Sequence, residues 1–331
     1  MRDQTLLGPW VRRFLIEHLV AERNLSVNTQ HSYRDTLRLL LPFAASKAKM
    51  PVDRLRVLDI TPALVRQFLA YIERERRCGI GTRNQRLAAV HALARFIGEH
   101  SPEHVAWCGQ IRLIPHKRGT RALISYLTEA EMRALLGAPG RSTGRGYRDY
   151  VLLLFLYNSG ARASEAASLL IQDVDTRSRL VRITGKGNKQ RVCPLWPDTI
   201  GHLRRLVGQR PKDEPLFQNR LKQPLTRFGI HTLVERHAAH AAEQEPSLRS
   251  KRVSPHTIRH STATHLLRAG VDINTIRGWL GHASINTTNV YAEVDLDAKA
   301  KALAACSPGT AGRSPLPWKS AAGVMEFLRS L

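Results

Sequence analysis

The C-terminal third of the chain holds four side chains whose types suit chemistry on a phosphodiester: His256, Arg259, His282 and Tyr291. Cationic and hydrogen-bonding groups can hold the non-bridging oxygens of a phosphate, and a phenol offers an oxygen nucleophile. Taken singly, a histidine or a tyrosine on a helix is more often a packed or solvated residue. His260 and His265 keep that structural interpretation, because they fall on other faces of the same predicted helix.

Three short helices are predicted to position these four side chains. Residues 254–268 form the first, because a serine N-cap precedes a proline and an Ala-Gly pair ends the pattern. His256 and Arg259 are three residues apart and therefore share one face near its N-terminus. Residues 271–281 form the second helix, and a third short helix carries Tyr291.

The order of the motifs in this segment is more specific than any one residue. The strings HTIRHSTATHLL, LGH and TTNVY follow one another, and His282 and Tyr291 lie nine residues apart (291 − 282 = 9). This pattern resembles the C-terminal signature of the tyrosine recombinases, the phage-integrase and Xer family. The resemblance implies that Tyr291 attacks a DNA phosphodiester, that His256 assists its proton transfer and that His282 hydrogen-bonds the phosphate.

A second candidate lies in a tight turn between two predicted helices. The apolar run within residues 148–158 predicts a buried helix, and Ser164 is expected to cap the next one. Arg162 stands between them, a placement that suits a preorganised oxyanion clamp. The segment resembles the first conserved box of the family, with alanines at 161 and 166 where leucines are more usual. The resemblance implies that Arg162 and Arg259 bind the scissile phosphate.

A basic hairpin separates these two boxes. Residues 179–184 and 190–195 read as strands around a Gly-Lys-Gly-Asn turn. The turn lacks the spacing of a P-loop. The string GKGNKQRVCPL resembles the hairpin of the family, which implies that Lys186 protonates the leaving 5′ oxygen. Lys189 and Arg191 are interpreted as contacts to the DNA backbone.

The charge of the whole chain indicates a polyanionic partner. Of 331 residues, 51 are Lys or Arg and 27 are Asp or Glu, a formal net charge of +24, while 43% are hydrophobic. A globular protein this basic is expected to bind nucleic acid, here double-stranded DNA. The four cysteines are far apart, which predicts neither disulfides nor zinc and is typical of a reducing cytoplasm. The longest apolar run is too short to span a membrane.

The N-terminal part is predicted to be a bundle of four helices over residues 1–108. Arg83, Arg86 and Arg95 lie on its polar faces, where contact with DNA phosphates and simple solvation are equally open. The family resemblance implies a DNA-clamping domain at this place. Residues 109–125 are interpreted as a basic interdomain linker, in which Lys117 and Arg118 are the candidate DNA contacts.

The predicted fold is therefore mainly α with a small β-hairpin or sheet: a DNA-clamping helical bundle followed by a catalytic domain over residues 126–305. Residues 306–331 add a linker and a last amphipathic helix, which either folds back on its own domain or docks on a neighbouring subunit. The family resemblance favours the second option.

The family resemblance implies that the function is site-specific DNA recombination in a tetramer on paired sites. No cofactor is expected, because the number of phosphodiester bonds is conserved and side chains take the place of a metal. Two alternatives stay open: a nicking enzyme similar to a type IB topoisomerase, and a non-catalytic DNA-binding regulator on the same fold.

Overall fold

The computed structural model describes residues 5–119 and 125–281. The chain divides into two compact units, Met1–Ala122 and Leu123–Leu331. The division falls within the segment that the sequence predicts to be a linker. Among the described residues, no helix combines the length and the apolar character needed to cross a membrane.

The first unit is helical throughout its described part. Its α-helices are α1 (Leu7–Arg13), α2 (Val27–Ala48), α3 (Pro62–Arg74), α4 (Ile80–His100) and α5 (Val105–Arg112). A π-helical segment, Phe14–Glu22, continues α1 directly. Three buried phenylalanines, Phe14, Phe68 and Phe96, lie in the core between these helices. Thr61 caps the start of α3, because its hydroxyl accepts a hydrogen bond from the Leu64 amide.

The predicted linker differs from the structure at its N-terminal end. Helix α5 runs past residue 108, and Ile111 and Ile114 are buried in the core of the first unit. Residues 115–117 are also fastened to α4, because Asn84 donates to the carbonyl of Lys117 and accepts from its amide. The spacing of the apolar residues Trp107, Ile111 and Ile114 is typical of a helix face. The basic residues that follow them make this segment look like a linker.

The second unit contains seven described α-helices. They are α6 (Glu129–Gly137), α7 (Gly144–Ser159), α8 (Ala163–Ser168), α9 (Pro197–Val207), α10 (Arg227–Gln244), α11 (Pro255–Arg268) and α12 (Ile273–Leu280). Helix α7 forms the centre of the core, and Val151 through Phe155 are buried on all sides. A capping box starts α6, with Thr128 and Glu131 bonded reciprocally.

A small antiparallel sheet lies in the same unit, with strands β1 (Val174–Asp175), β2 (Leu180–Thr184) and β3 (Gln190–Pro194) in that order. In the predicted hairpin, Ile183 pairs with Arg191 and Thr184 with Gln190. A short turn, Lys186–Asn188, joins β2 to β3, and Gly187 adopts a left-handed φ of 73° there. The mainly helical fold with a small sheet is therefore confirmed.

Two predicted helices lie outside the described part of the chain. They are the helix that carries Tyr291 and the last amphipathic helix within residues 306–331.

Candidate active site

Arg162 and Glu165 form the first part of the site, at the start of α8. Arg162 is the N-cap residue, and its backbone amide donates to Glu165 Oε2 at 2.9 Å. Its guanidinium Nη1 donates to Glu165 Oε1 at 2.6 Å. The sequence predicts Ser164 as the cap, which is wrong, because the carboxylate of Glu165 caps the helix instead. The arginine side chain is held by this pair while remaining 33% exposed.

Glu165 itself is a buried carboxylate, 3% exposed. It also accepts from Arg191 Nη2 at 2.8 Å. Burial alone would raise the pKa of Glu165, but the hydrogen bonds from Arg191 and Arg162 outweigh burial and hold this pKa below its usual range. A charged carboxylate thus organises two guanidinium groups.

Arg259 lies on α11 and joins the ends of two other helices. Its Nη1 donates to the carbonyl of Gly160 and its Nη2 to the carbonyl of Leu280, both at 2.6 Å. These carbonyls lie at the C-terminal ends of α7 and α12, where a cation is favourable to the helix dipole. Gly160 has a φ of +59°, and a Cβ atom there would overlap the Leu280 side chain. The turn that leads to Arg162 therefore packs directly against α12.

The last turn of α12 is held at a second carbonyl. Arg191, on β3, donates from Nε to the carbonyl of Trp279 at 2.9 Å. The indole of Trp279 in turn donates to the carbonyl of Asn158 on α7, at 3.2 Å. The helix ends at Gly281 in a left-handed conformation, φ +65°. His282 is the residue that follows Gly281 in the sequence.

The hairpin approaches the same carboxylate. A Cβ atom on Gly185 would lie 3.2 Å from Glu165 Oε1, a tight contact that shows how closely the strand end approaches this carboxylate. The Gly185 amide donates to the carbonyl of Lys189 at 2.8 Å and closes the turn. Gly185 therefore lies beside the Arg162–Glu165 pair, and Lys186 is the next residue of the chain.

His256 occupies the first turn of α11, one turn before Arg259. The helix starts as predicted, with the Ser254 hydroxyl accepting from the Thr257 amide at 3.3 Å. Part of the His256 side chain is exposed at the surface, but protein atoms also surround its imidazole. This partial burial is the largest cause that lowers the pKa of His256. The positive charges of Arg259 and Arg162 lower that pKa further. The imidazole is consequently neutral at pH 7 and able to accept a proton.

His260 and His265 have the structural surroundings that the sequence predicts. The Nδ1 atom of His265 lies 2.7 Å from the hydroxyl of Tyr157. Burial, followed by the nearby His256 and Arg259, lowers the pKa of His260 to about 4. The imidazole of His260 is therefore neutral in the folded protein at pH 7.

This lowered pKa predicts a pH-dependent stability. The unfolded histidine takes up a proton near pH 6.5, whereas the folded one resists protonation down to about pH 4. The unfolding free energy should therefore fall as pH drops through this window, by at most about 3 kcal/mol from this group. Urea unfolding of the parent and of His260→Gln between pH 4 and 8 measures it. The variant should show the flatter profile, and parallel profiles would contradict the assignment.

The predicted DNA contacts fall in different surroundings. The structure corrects the placement of Arg83, which is 6% exposed and donates to the carbonyl of Pro115 at 3.0 Å. Arg86 donates to Ser32 and Thr36 of α2. Lys117 pairs with Glu73 at 2.6 Å but stays 52% exposed. These three side chains therefore differ in how accessible they are to a DNA phosphate, and their contact with DNA stays a prediction.

The other candidates in the basic loops also differ. Arg118 and Lys189 are exposed. The side chain of Arg191 is 10% exposed and is engaged within the site, unlike the surface contact that the sequence indicates.

The structure thus brings Arg162, Arg259, the backbone of Lys186 and His256 to one region of the second unit. The remaining two sequence candidates, His282 and Tyr291, lie outside the described residues. Sequence reasoning missed Glu165 as a member of the site. The signal was available, because an acidic residue three positions after Arg162 stands at the place of a capping carboxylate.

Comparisons with known proteins define the class. The sequence profile of the Phage integrase family matches residues 125–297. The profile of the Phage integrase, N-terminal SAM-like domain matches residues 11–99. The chain belongs to the phage integrase family, the tyrosine recombinases, and is an enzyme of that class.

Individual relatives cover almost the whole chain. The protein y4rC of Sinorhizobium fredii, assigned as an integrase/recombinase, is 37% identical, with 100% of each chain covered. The tyrosine recombinase XerD of Xanthomonas axonopodis pv. citri is 32% identical, over 85% of this chain and 91% of its own. The solved XerH site-specific recombinase, bound to palindromic difH substrate, has a similar fold, with a TM-score of 0.65, 23% identity and coverage of 85% and 81%. These relatives favour neither the topoisomerase nor the regulator alternative.

Proposed function

We propose that this protein cuts and rejoins double-stranded DNA at specific sites. The hydroxyl oxygen of Tyr291 attacks a backbone phosphorus, forming a 3′-phosphotyrosyl bond as the bond to the 5′ oxygen breaks. Lys186 gives that oxygen a proton, and His256 takes the proton of the phenol. A 5′ hydroxyl from another strand reverses the step, so the number of phosphodiester bonds is unchanged.

The observation that supports this function most strongly is that hydrogen bonds within the protein hold both arginines in place. Arg162 is held by Glu165 and Arg259 by two helix-end carbonyls, so both guanidinium groups are oriented before a substrate arrives. Oriented positive groups stabilise the charge that develops on a phosphate without further reorganisation. Arginine suits this role better than lysine, because its planar fork can contact two oxygens of one phosphate.

The proposed base gives a distinct pH dependence. His256 must be neutral to accept a proton, and because its pKa is lowered, the ring is mainly neutral at pH 7. Single-turnover cleavage under subsaturating protein, which reports the free enzyme, should therefore stay at its plateau from pH 8 to about pH 7 and fall at lower pH. A profile that already falls between pH 8 and 7 would contradict a neutral His256 acting as the base.

The partners follow from charge and from the relatives. A net charge of +24 favours DNA, and the XerH structure contains its DNA substrate. We propose that four copies assemble on two paired sites, that the N-terminal unit clamps the duplex, and that the protein acts in the cytoplasm. The similar fold of the Tn1549 transposon integrase, TM-score 0.67, supports a role with a mobile element.

Strand exchange distinguishes this function from its alternatives. Two differently labelled duplexes that carry the sequence flanking the gene are incubated with the protein, and a supercoiled plasmid with one site is assayed in parallel. Exchanged flanks are expected. Relaxation of the plasmid without exchange would indicate a topoisomerase-like enzyme, and binding without cleavage would indicate a regulator.

A further inference from the structure

Arg191 makes two hydrogen bonds that no proposed step of the reaction uses. From β3 it donates Nη2 to Glu165 on α8, at 2.8 Å, and Nε to the carbonyl of Trp279 on α12, at 2.9 Å. Its own strand pairs with β2 and closes the turn that contains Lys186. One side chain therefore links three elements: the hairpin, the support of Arg162 and the helix end that precedes His282.

The chemistry of a guanidinium explains why this residue can make the link. Its donors point in several fixed directions, so one group reaches a carboxylate and a carbonyl at the same time. A lysine carries its three donors on one nitrogen at the end of a flexible chain, so it lacks the second nitrogen that the planar fork holds at a fixed distance and direction. Both acceptors also favour a cation, because Glu165 is a buried carboxylate and the Trp279 carbonyl lies at the C-terminal end of a helix.

The backbone lies against this side chain on two sides, closely at Gly281 and in ordinary contact at Gly185. A Cβ atom on Gly281 would lie 3.0 Å from Arg191 Cδ, and one on Gly185 would lie 3.8 Å from Arg191 Nη1. The chain therefore passes close to Arg191 immediately before His282 and immediately before Lys186. A change in the position of Arg191 would move both neighbouring segments.

We infer that Arg191 is a positioning residue, which fixes the hairpin carrying Lys186 against Arg162 and against the end of α12. This inference rests on the proposed function, in which Lys186 is the proton donor. It replaces the sequence interpretation of Arg191 as a contact to the DNA backbone. Arg191 acts through Lys186 and does not itself touch the substrate.

The test compares two DNA substrates that differ in one atom. In one substrate the leaving atom is the ordinary 5′ oxygen, and in the other it is a 5′-bridging sulfur. A thiol has a pKa of about 8.5, so a thiolate leaves without a proton donor. The variant is Arg191→Lys, which keeps the charge and loses the fixed geometry of two separate donor nitrogens. Arg182→Lys, on the exposed side of β2, is the matched control, and Lys186→Ala marks full loss of the donor.

Single-turnover cleavage should show a selective loss. Arg191→Lys is expected to cleave the oxygen substrate about 10²-fold more slowly, the size of effect that a displacement near 1 Å causes. On the sulfur substrate its loss should be at least about 10-fold smaller, because general-acid catalysis is no longer needed. Arg182→Lys should match the parent on both substrates.

Three results would overturn the inference. They are parental cleavage by Arg191→Lys, an equal loss on both substrates in a folded variant, and weaker DNA binding with a salt slope reduced by about one, which marks a lost phosphate contact. If Arg191→Lys fails to fold by circular dichroism, Arg191→Gln is measured with the same expectations. A parent protein that cleaves neither substrate would refute the proposed function itself, which separates the two failures.

Discussion

Tyr291→Phe is expected to bind its DNA site like the parent and to form no covalent protein–DNA complex. The substitution keeps the aromatic ring and removes only the oxygen that attacks phosphorus, so binding energy is retained while the bond-forming atom is lost. A nicked substrate that traps the covalent intermediate, run on a denaturing gel, measures the complex. Gel retardation on the same DNA measures binding.

Tyr71→Phe is the control for this loss. It removes a phenolic oxygen from a half-buried tyrosine of the first unit and should leave the covalent yield unchanged. A covalent complex of normal yield with Tyr291→Phe would show that another residue is the nucleophile.

Arg259→Ala is expected to lose both activity and stability. Removal of one preorganised donor to a developing negative charge slows a reaction by about 10²- to 10³-fold. The same substitution leaves the carbonyls of Gly160 and Leu280 without this donor in a buried place, which should reduce the free energy of unfolding by roughly 2–4 kcal/mol. Cleavage rates and urea unfolding measure the two effects separately.

Arg162→Ala provides the comparison. Its side chain is 33% exposed and bonds to Glu165, which keeps Arg191 as a partner. We expect a similar loss of cleavage with a clearly smaller loss of stability. An Arg259→Ala protein as stable as the parent would contradict the two buried hydrogen bonds, and parental cleavage by either variant would contradict the clamp.

The local features of this fold could be predicted from the sequence. The starts of α3, α6 and α11 follow from a threonine or serine cap at residues 61, 128 and 254. The hairpin follows from alternating residues around a glycine-containing turn. These signals act over a few residues, so the sequence contains them directly.

The tertiary role of single charged residues could not be predicted in this way. Arg83 and Arg191 look like surface arginines in the sequence, yet one binds the carbonyl of Pro115 and the other joins Glu165 to Trp279. The partners lie 26 to 88 positions away along the chain. Such pairing depends on how elements pack, and a pattern of neighbouring residues does not encode it.

The covalent bond between protein and DNA tests the central claim most directly. The parent protein is reacted with a trapping substrate that carries the recombination site, the complex is digested with protease and nuclease, and the modified peptide is sequenced by mass spectrometry. We expect one peptide, modified at Tyr291, with the nucleotide attached through its 3′ phosphate. Attachment at a different residue, or through a 5′ phosphate, would contradict the proposed chemistry.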